Sequence, residues 1–261
     1  MSALVGETRH VPPRLIGMVH LLPLPGAPLF RGSITEVVDA AMDDARAIAE
    51  GGMDAIMVEN FGDLPFMRGR VAPETVAAMT RAIIAIQGEV GLPIGVNVLR
   101  NDAIAALGIA AAVDARFIRV NVHVGAVVAD QGIIQGEARD TMERRRVLGV
   151  DVAVYADIHV KHAHPMAPRT IEEEGADAVE RGMADCVIVS GQRTGAPCNP
   201  DDLRRVRDHV RAPVLAGSGV TDTTVRELLR LCDGAIVGSW LKREGTVDRE
   251  RVKRLVESAR P

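Results

Sequence analysis

The chain has 261 residues with a net charge of −4, and 47% of them are hydrophobic while only 2% are aromatic. A slightly acidic balance and a near absence of stacking rings exclude a general nucleic-acid binder. No apolar stretch reaches the roughly 18 residues of a membrane span, and Met1–Pro13 lacks the apolar centre of a signal peptide.

Apolar strand-like runs occur at Leu15–Val19, Ala55–Val58, Ile94–Val98, Phe117–Val122, Val152–Ile158, Cys186–Val189, Pro213–Ala216 and Ala235–Val237. Helical patterns lie between them at Thr35–Glu50, Pro73–Val90, Asp102–Val113, Glu137–Leu148, Pro168–Arg181, Pro200–His209, Thr223–Leu231 and Asp248–Ala259. Val37, Val38, Ala41, Ala45 and Ile48 line one face of the first helix, which Gly51-Gly52 stops. Pro73, Pro168 and Pro200 stand at helix starts, where proline is tolerated. Eight alternating β and α segments predict a parallel sheet closed into a (β/α)₈ TIM barrel, one α/β domain over residues 1–261. A doubly wound open sheet is the alternative. The core must be built from Ala, Val, Ile, Leu and Met, as in sheets buried on both faces.

The cysteines, Cys186, Cys198 and Cys232, form neither a metal spacing nor a disulfide framework. A reduced cytoplasm is the simplest reading. Cys186 reads as core, whereas Cys198 lies in a loop.

Strand side chains alternate between faces. In the fifth strand Val152, Val154, Ala156, Ile158 and Val160 should face the helices, which turns Asp157, His159 and Lys161 inward at the C-terminal end. The fourth strand repeats the pattern with Arg119, Asn121 and His123 inward. His20, Glu59 with Asn60, Asn97 and Ser190 end other strands, and Arg193 and Thr194 follow Ser190. Barrel active sites form at this end. Glu59 and Asp157 are candidates for acid/base work. His159 would support them or, with Asp157, bind a divalent metal; His162 and His164 continue into the loop. Lys161 would hold an anion, as would Arg119, or form a Schiff base. Asn97, Asn121 and His123 would orient hydroxyls, and His20 and Ser190 would touch substrate. No cofactor is specified beyond that metal.

Two apolar runs break into small residues: Val214-Leu215-Ala216-Gly217-Ser218-Gly219-Val220 and Ala235-Ile236-Val237-Gly238-Ser239-Trp240. Backbone amides at such turns after the seventh and eighth strands hold phosphate in many barrels. Gly217, Ser218, Gly219, Gly238 and Ser239 are therefore the candidate phosphate site, and the partner is a phosphorylated small molecule. The loop from Gly125 to Gly136, with Asp130, Gln131 and Gln135, is long enough to cover the mouth. Leu22, Leu24, Leu29 and Phe30 either pack over the rim or meet another subunit, which points to a homo-oligomer.

The segments Ile16-Gly17-Met18-Val19-His20-Leu21-Leu22-Pro23-Leu24-Pro25-Gly26, Val58-Glu59-Asn60-Phe61-Gly62-Asp63 and Gly95-Val96-Asn97-Val98-Leu99-Arg100-Asn101 resemble the BtpA/SgcQ family. So do Phe117-Ile118-Arg119-Val120-Asn121, Ala156-Asp157-Ile158-His159-Val160-Lys161-His162, Val189-Ser190-Gly191 and Gly217-Ser218-Gly219-Val220, so the resemblance covers nearly the whole length. It implies a barrel related to ribulose-phosphate-binding enzymes and supplies no catalytic residues. Members include a factor for building or stabilising photosystem I in cyanobacteria and sugar-operon proteins. The expected function is an enzyme acting on a phosphorylated sugar or nucleotide-like metabolite by isomerisation, a lyase or aldol step, or glycosidic hydrolysis. The alternatives are a non-catalytic photosystem I biogenesis factor on the same scaffold, and a ligand-sensing regulator.

Overall fold

Every one of the eight apolar runs is a strand of one closed parallel barrel. The structure, a computed structural model, describes residues 10–191 and 195–260. In chain order the strands are β1 (Leu15–His20), β2 (Ala55–Glu59), β3 (Ile94–Asn97) and β4 (Phe117–Val120), then β5 (Ala153–Ile158), β6 (Cys186–Val189), β7 (Val214–Ala216) and β8 (Gly234–Val237). Each pairs with its sequence neighbours, and β1 closes on β8 through Leu15, Ile16 and Gly17 against Ala235, Ile236 and Val237. The open-sheet alternative is therefore excluded.

The helices are α1 (Ile34–Glu50), α2 (Pro73–Glu89), α3 (Ala103–Ala112), α4 (Ala138–Leu148), α5 (Ile171–Ala176), α6 (Pro200–His209), α7 (Val225–Leu231) and α8 (Arg249–Ala259). Ser33 caps α1 by accepting from the Glu36 amide, and Thr170 and Glu173 form a capping box on α5. The predicted helix from Pro168 to Arg181 is shorter and irregular: α5 passes into a π-helical turn at Asp177–Arg181. Among the described residues no helix is long and apolar enough to cross a membrane.

Two apolar layers follow from strand parity. The larger lies between strands and helices and includes Val154, Ala156 and Ile158 of β5. The smaller fills the lumen with Ile16, Met18, Met57, Phe117, Tyr155, Cys186, Ile188, Leu215 and Ile236. Phe117 and Tyr155 stack there with ring centroids 4.8 Å apart. A Cβ at Gly95 would overlap the Phe117 ring, so glycine on β3 is what lets this pair fill the barrel.

The long loop after β4 is ordered rather than irregular. Ala126–Ala129 and Gly132–Gln135 pair as an antiparallel hairpin about Asp130-Gln131, and Ala163–Pro165 adds a third strand. Val127 and Ile134 of this small sheet pack with Val122 and Val160, which follow β4 and β5, and its Val128–Gln131 end lines the cavity at the C-terminal end of the barrel. Of the segment after β1, Leu21 and Leu24 are buried over the rim while Leu22 and Leu29 remain exposed.

Candidate functional site

Among the described residues, polar side chains follow the apolar layer of the lumen at its C-terminal end, two positions further along the first five strands. His20 on β1, Glu59 on β2, Asn97 on β3, Arg119 on β4 and Asp157 on β5 share the parity of Met18, Met57, Gly95, Phe117 and Tyr155. Above them opens a cavity of about 1170 Å³, lined by His20, Glu59, Arg119, Asn121 and Lys161 and by both glycine turns.

Arg119 and Asp157 anchor this layer. Arg119 Nε donates to Asp157 Oδ2 at 3.0 Å, and Nη2 donates to Oδ1 at 2.9 Å. Asn121 Nδ2 donates to the same Oδ2 at 2.6 Å. Burial opposes the guanidinium charge, but Asp157 and then Glu59 outweigh it and raise the Arg119 pKa. Asp157 is thus engaged by three donors and does not line the cavity, whereas Arg119 does.

Glu59 is differently placed. It lines the cavity, Asn97 Nδ2 donates to its Oε2, and His20 Nε2 lies 3.8 Å from its Oε1. The His20 ring stacks on Phe61 at 4.5 Å. Burial, then Lys242, Lys161 and Arg119, push the His20 pKa down to about 3. The imidazole is therefore neutral at pH 7, and its approach to Glu59 is not an ion pair.

Lys161 reaches the cavity after the strand has ended, and the chain around it is held by Arg100, whose Nη2 donates to the Lys161 carbonyl at 2.8 Å. Burial first, then Arg119 and Arg100, lower its pKa, while Asp157 and Glu59 partly offset them. No acceptor lies within hydrogen-bond or ion-pair distance of its ammonium among the described residues.

Two residues expected in the mouth lie elsewhere. β5 ends at Ile158, and His159 takes a left-handed φ of 47°, which breaks the alternation. Its amide donates to Glu174 Oε1 at 3.1 Å, and its Nε2 lies 3.6 Å from Glu174 Oε2 on α5. Asp157 is thus held by Arg119 and Asn121 while His159 turns to Glu174, and the described residues hold no cluster of three or more His, Cys, Asp and Glu suited to a metal ion. β4 likewise stops at Val120. The Asn101 side chain brackets Val122 at 2.8 and 2.9 Å, and buried His123 turns to Gly182 O at 2.8 Å, off the cavity.

Ser190 also lies off the cavity, beside Gly217. Arg193 and Thr194 fall outside the described residues. Cys198 is buried, with its thiol 3.1 Å from both Val189 O and Ser218 O.

The glycine turns sit on the adjacent strands β7 and β8 and face one cavity. Gly219 has φ 67°, and a Cβ there would overlap Pro197 of the neighbouring loop, so this turn needs glycine twice over. Among the described residues the amides of Gly219 and Ser239 donate no hydrogen bond, while that of Gly217 is taken by Val189 O at 2.7 Å. The Ser218 hydroxyl is also engaged, with Gly191 N at 2.6 Å and Ala196 O at 2.9 Å. Gly238 leads straight into a short 3-10 turn, Ser239–Leu241.

The remaining wall includes Phe61, Leu64 and Phe66 after β2, Arg100 after β3, Asp130, Gln131, His162 and His164 from the covering sheet, and Trp240 with Arg251. Arg100 and Trp240 were detectable, since each stands within three residues of a strand end. Arg251 comes from α8 and carries no local sign of its place.

The BtpA family model matches residues 12–261. A photosystem I biogenesis protein BtpA from Synechocystis is 45% identical over 90% of this chain and 82% of its own length. The putative sgc region protein SgcQ of Escherichia coli is 34% identical over 93% and 92%. Among solved structures, (S)-3-O-geranylgeranylglyceryl phosphate synthase from Thermoplasma acidophilum in complex with sn-glycerol-1-phosphate aligns with TM-score 0.60. It covers 97% of this chain and 94% of the synthase at 19% identity, a likeness of fold.

Two outcomes follow from the buried charges. Asp157→Asn leaves Arg119 buried without its counter-charge and should cost about 3–5 kcal/mol in urea unfolding; a loss under about 1 kcal/mol would show that the pair is not coupled. For His20, the folded pKa lies below the unfolded one of 6.5. The unfolded chain therefore binds the extra proton, and stability falls as pH drops from 6.5 towards 3, by up to about 1.4 kcal/mol per pH unit. Denaturation between pH 7 and 5 should show a shallower fall in His20→Gln; equal slopes would mean His20 titrates normally.

Proposed function

The chain belongs to the BtpA family, and on that premise we propose that it is an enzyme acting on a phosphorylated sugar or nucleotide-like metabolite. The observation that carries this reading is the shared cavity, which the two glycine turns line together with Glu59 and Lys161. The phosphate would sit on the amides of Gly219 and Ser239, with Gly217, Ser218 and Gly238 shaping the turn around it. Fold neighbours support the ligand class, one of them having been solved with sn-glycerol-1-phosphate.

Glu59 is the acid/base group in this proposal. It is oriented by Asn97 and kept beside a neutral His20, so its carboxyl has a fixed direction and no permanent cation on it. Asp157 serves as the counter-ion that holds Arg119, and Arg119, Lys161 and Asn121 meet the polar groups of the substrate. The covering sheet at Gly125–Gly136 excludes water above the bound molecule. Isomerisation, a lyase or aldol step and glycosidic hydrolysis all need a proton moved at one carbon or oxygen, which a single oriented carboxyl can do.

The buried thiols of Cys186, Cys198 and Cys232 support a reducing cytoplasm. Leu22 and Leu29, at 47% and 58% exposure, support a homo-oligomer, which a molar mass in solution decides. The rival reading, a non-catalytic photosystem I biogenesis factor, is favoured by the name of the Synechocystis relative. It gives no reason for an oriented carboxyl and an amine in one cavity.

A thermal-shift screen of phosphorylated sugars and nucleotides should find a ligand that raises the Tm of wild type and of Glu59→Gln alike. Turnover of that ligand should fall about 10²–10⁴-fold in Glu59→Gln, the usual loss for a general acid or base. Full turnover in the variant would remove Glu59 from the chemistry, and a screen in which no phosphorylated metabolite binds would favour the rival.

A further inference from the structure

Lysine is scarce in this protein. Of 31 Lys and Arg residues only three are lysine: Lys161, Lys242 and Lys253. The cationic work of the molecule is done by arginine almost everywhere, including the three guanidiniums that line the cavity, Arg100, Arg119 and Arg251.

The three lysines differ in surroundings. Lys253 is an exposed member of a helical pair, its Nζ 2.9 Å from Glu250 Oε1. Lys242 lies 3.1 Å from buried Asp44. Lys161 alone lines the large cavity, and among the described residues no carboxylate stands within ion-pair distance of it. Asp157 already carries Arg119 and Asn121 on its oxygens. A fixed charge for holding an anion would be met as well or better by arginine, which stays protonated and grips oxyanions with two donors. What arginine cannot supply is a neutral primary amine. A lysine desolvated in a cavity and crowded by other cations gives up its proton more readily, because its charged form is disfavoured on both counts.

We propose that Lys161 is the covalent centre of the site, its amine condensing with an aldehyde or ketone of the substrate to form an imine. This rests on the enzymatic reading above and narrows its substrate class to carbonyl compounds, with a phosphate on the glycine turns. The proton balance uses one further group, Glu59. Glu59 is out of direct reach of the ammonium, so a solvent water takes a proton from the Lys161 ammonium and passes one on to the Glu59 carboxylate, leaving the free amine. Nζ then attacks the carbonyl carbon, forming the C–N bond while the carbonyl π pair moves to oxygen, and an N–H proton transfers to that oxygen. The carbinolamine hydroxyl takes the proton held on Glu59 and leaves as water. The nitrogen lone pair completes the C=N bond, giving a protonated imine and a Glu59 carboxylate. One ammonium and one carbonyl are consumed, one iminium and one water are made, and no redox partner is required. The iminium then acts as the electron sink for proton abstraction or carbon–carbon cleavage at the adjacent carbon, two of the reaction classes the fold permits.

The test is reductive labelling at pH 7 with cyanoborohydride and two probes, dihydroxyacetone phosphate and dihydroxyacetone, with the adduct mapped by peptide mass spectrometry. Three lysines make the map simple. Lys161 should be labelled at least about tenfold faster than exposed Lys253 despite its burial, the ratio that one pKa unit of extra neutral amine provides. Lys161→Arg, which keeps the charge, should fold with unchanged Tm and lose this fast adduct while Lys253 labels as before. Labelling of Lys161 no faster than Lys253 with both probes would overturn the proposal, and it would do so whether or not inorganic phosphate raises the Tm, which reports on the phosphate reading alone. Fast labelling of Lys161 at equal rates by the two probes would uphold the imine and remove the phosphate.

Discussion

A guanidinium in the lumen of a barrel is the constraint on which the mouth depends. Arg119 is 4% exposed and stands one step above the packed Phe117–Tyr155 pair. Such a charge is tolerated only with a carboxylate in good geometry and the spare lone pairs satisfied. Asp157 on the adjoining strand meets that demand with two parallel bonds, and Asn121 fills a further acceptor position. The strand register makes the match, since β4 and β5 pair Arg119 with Tyr155 and bring Asp157 to the next inward place. With Asp157 engaged, Glu59 and Lys161 line the cavity with no permanent counter-ion on either among the described residues. The low pKa of His20 belongs to the same balance, because Arg119 and Lys161 both act against its protonation.

Period-two alternation made most of this layer legible in the sequence. A run such as Ala153-Val154-Tyr155-Ala156-Asp157-Ile158 assigns every residue to the lumen or the helix side, and the two apolar layers follow that assignment. The rule holds only while the chain stays extended. His159, with its left-handed φ, and His123, past the end of β4 and next to the Asn101 bracket at Val122, lie beyond strand ends, and both leave the mouth. Strand ends are set by such side-chain brackets and by contacts from distant loops, which local pattern does not encode. The covering sheet escaped for a related reason. Ala126–Ala129 and Gly132–Gln135 are four-residue strands whose partner, Ala163–Pro165, lies about thirty residues further on. The choice of Gly217 as an anion donor failed at finer grain: glycine marks the turn, but only the ladder shows that its amide is already bonded to Val189.

The cavity brings two kinds of group together, with Gly238 of one glycine turn against the His20 ring. One kind is the backbone amides of the glycine turns, the first of them braced through the Ser218 hydroxyl to the loop after β6. The other is ionisable side chains in a low-dielectric layer, where each charge is felt by the next. A substrate long enough to reach both would be fixed at its phosphate and worked on at its carbonyl, with the sheet of Asp130 and Gln131 above it.

The most direct measurement is a crystal structure of the protein with inorganic phosphate. The account predicts an anion in the cavity within hydrogen-bond distance of the Gly219 and Ser239 amides, bridging β7 and β8. A phosphate found instead on Arg100 and Lys161, with the two glycine turns empty, would contradict it.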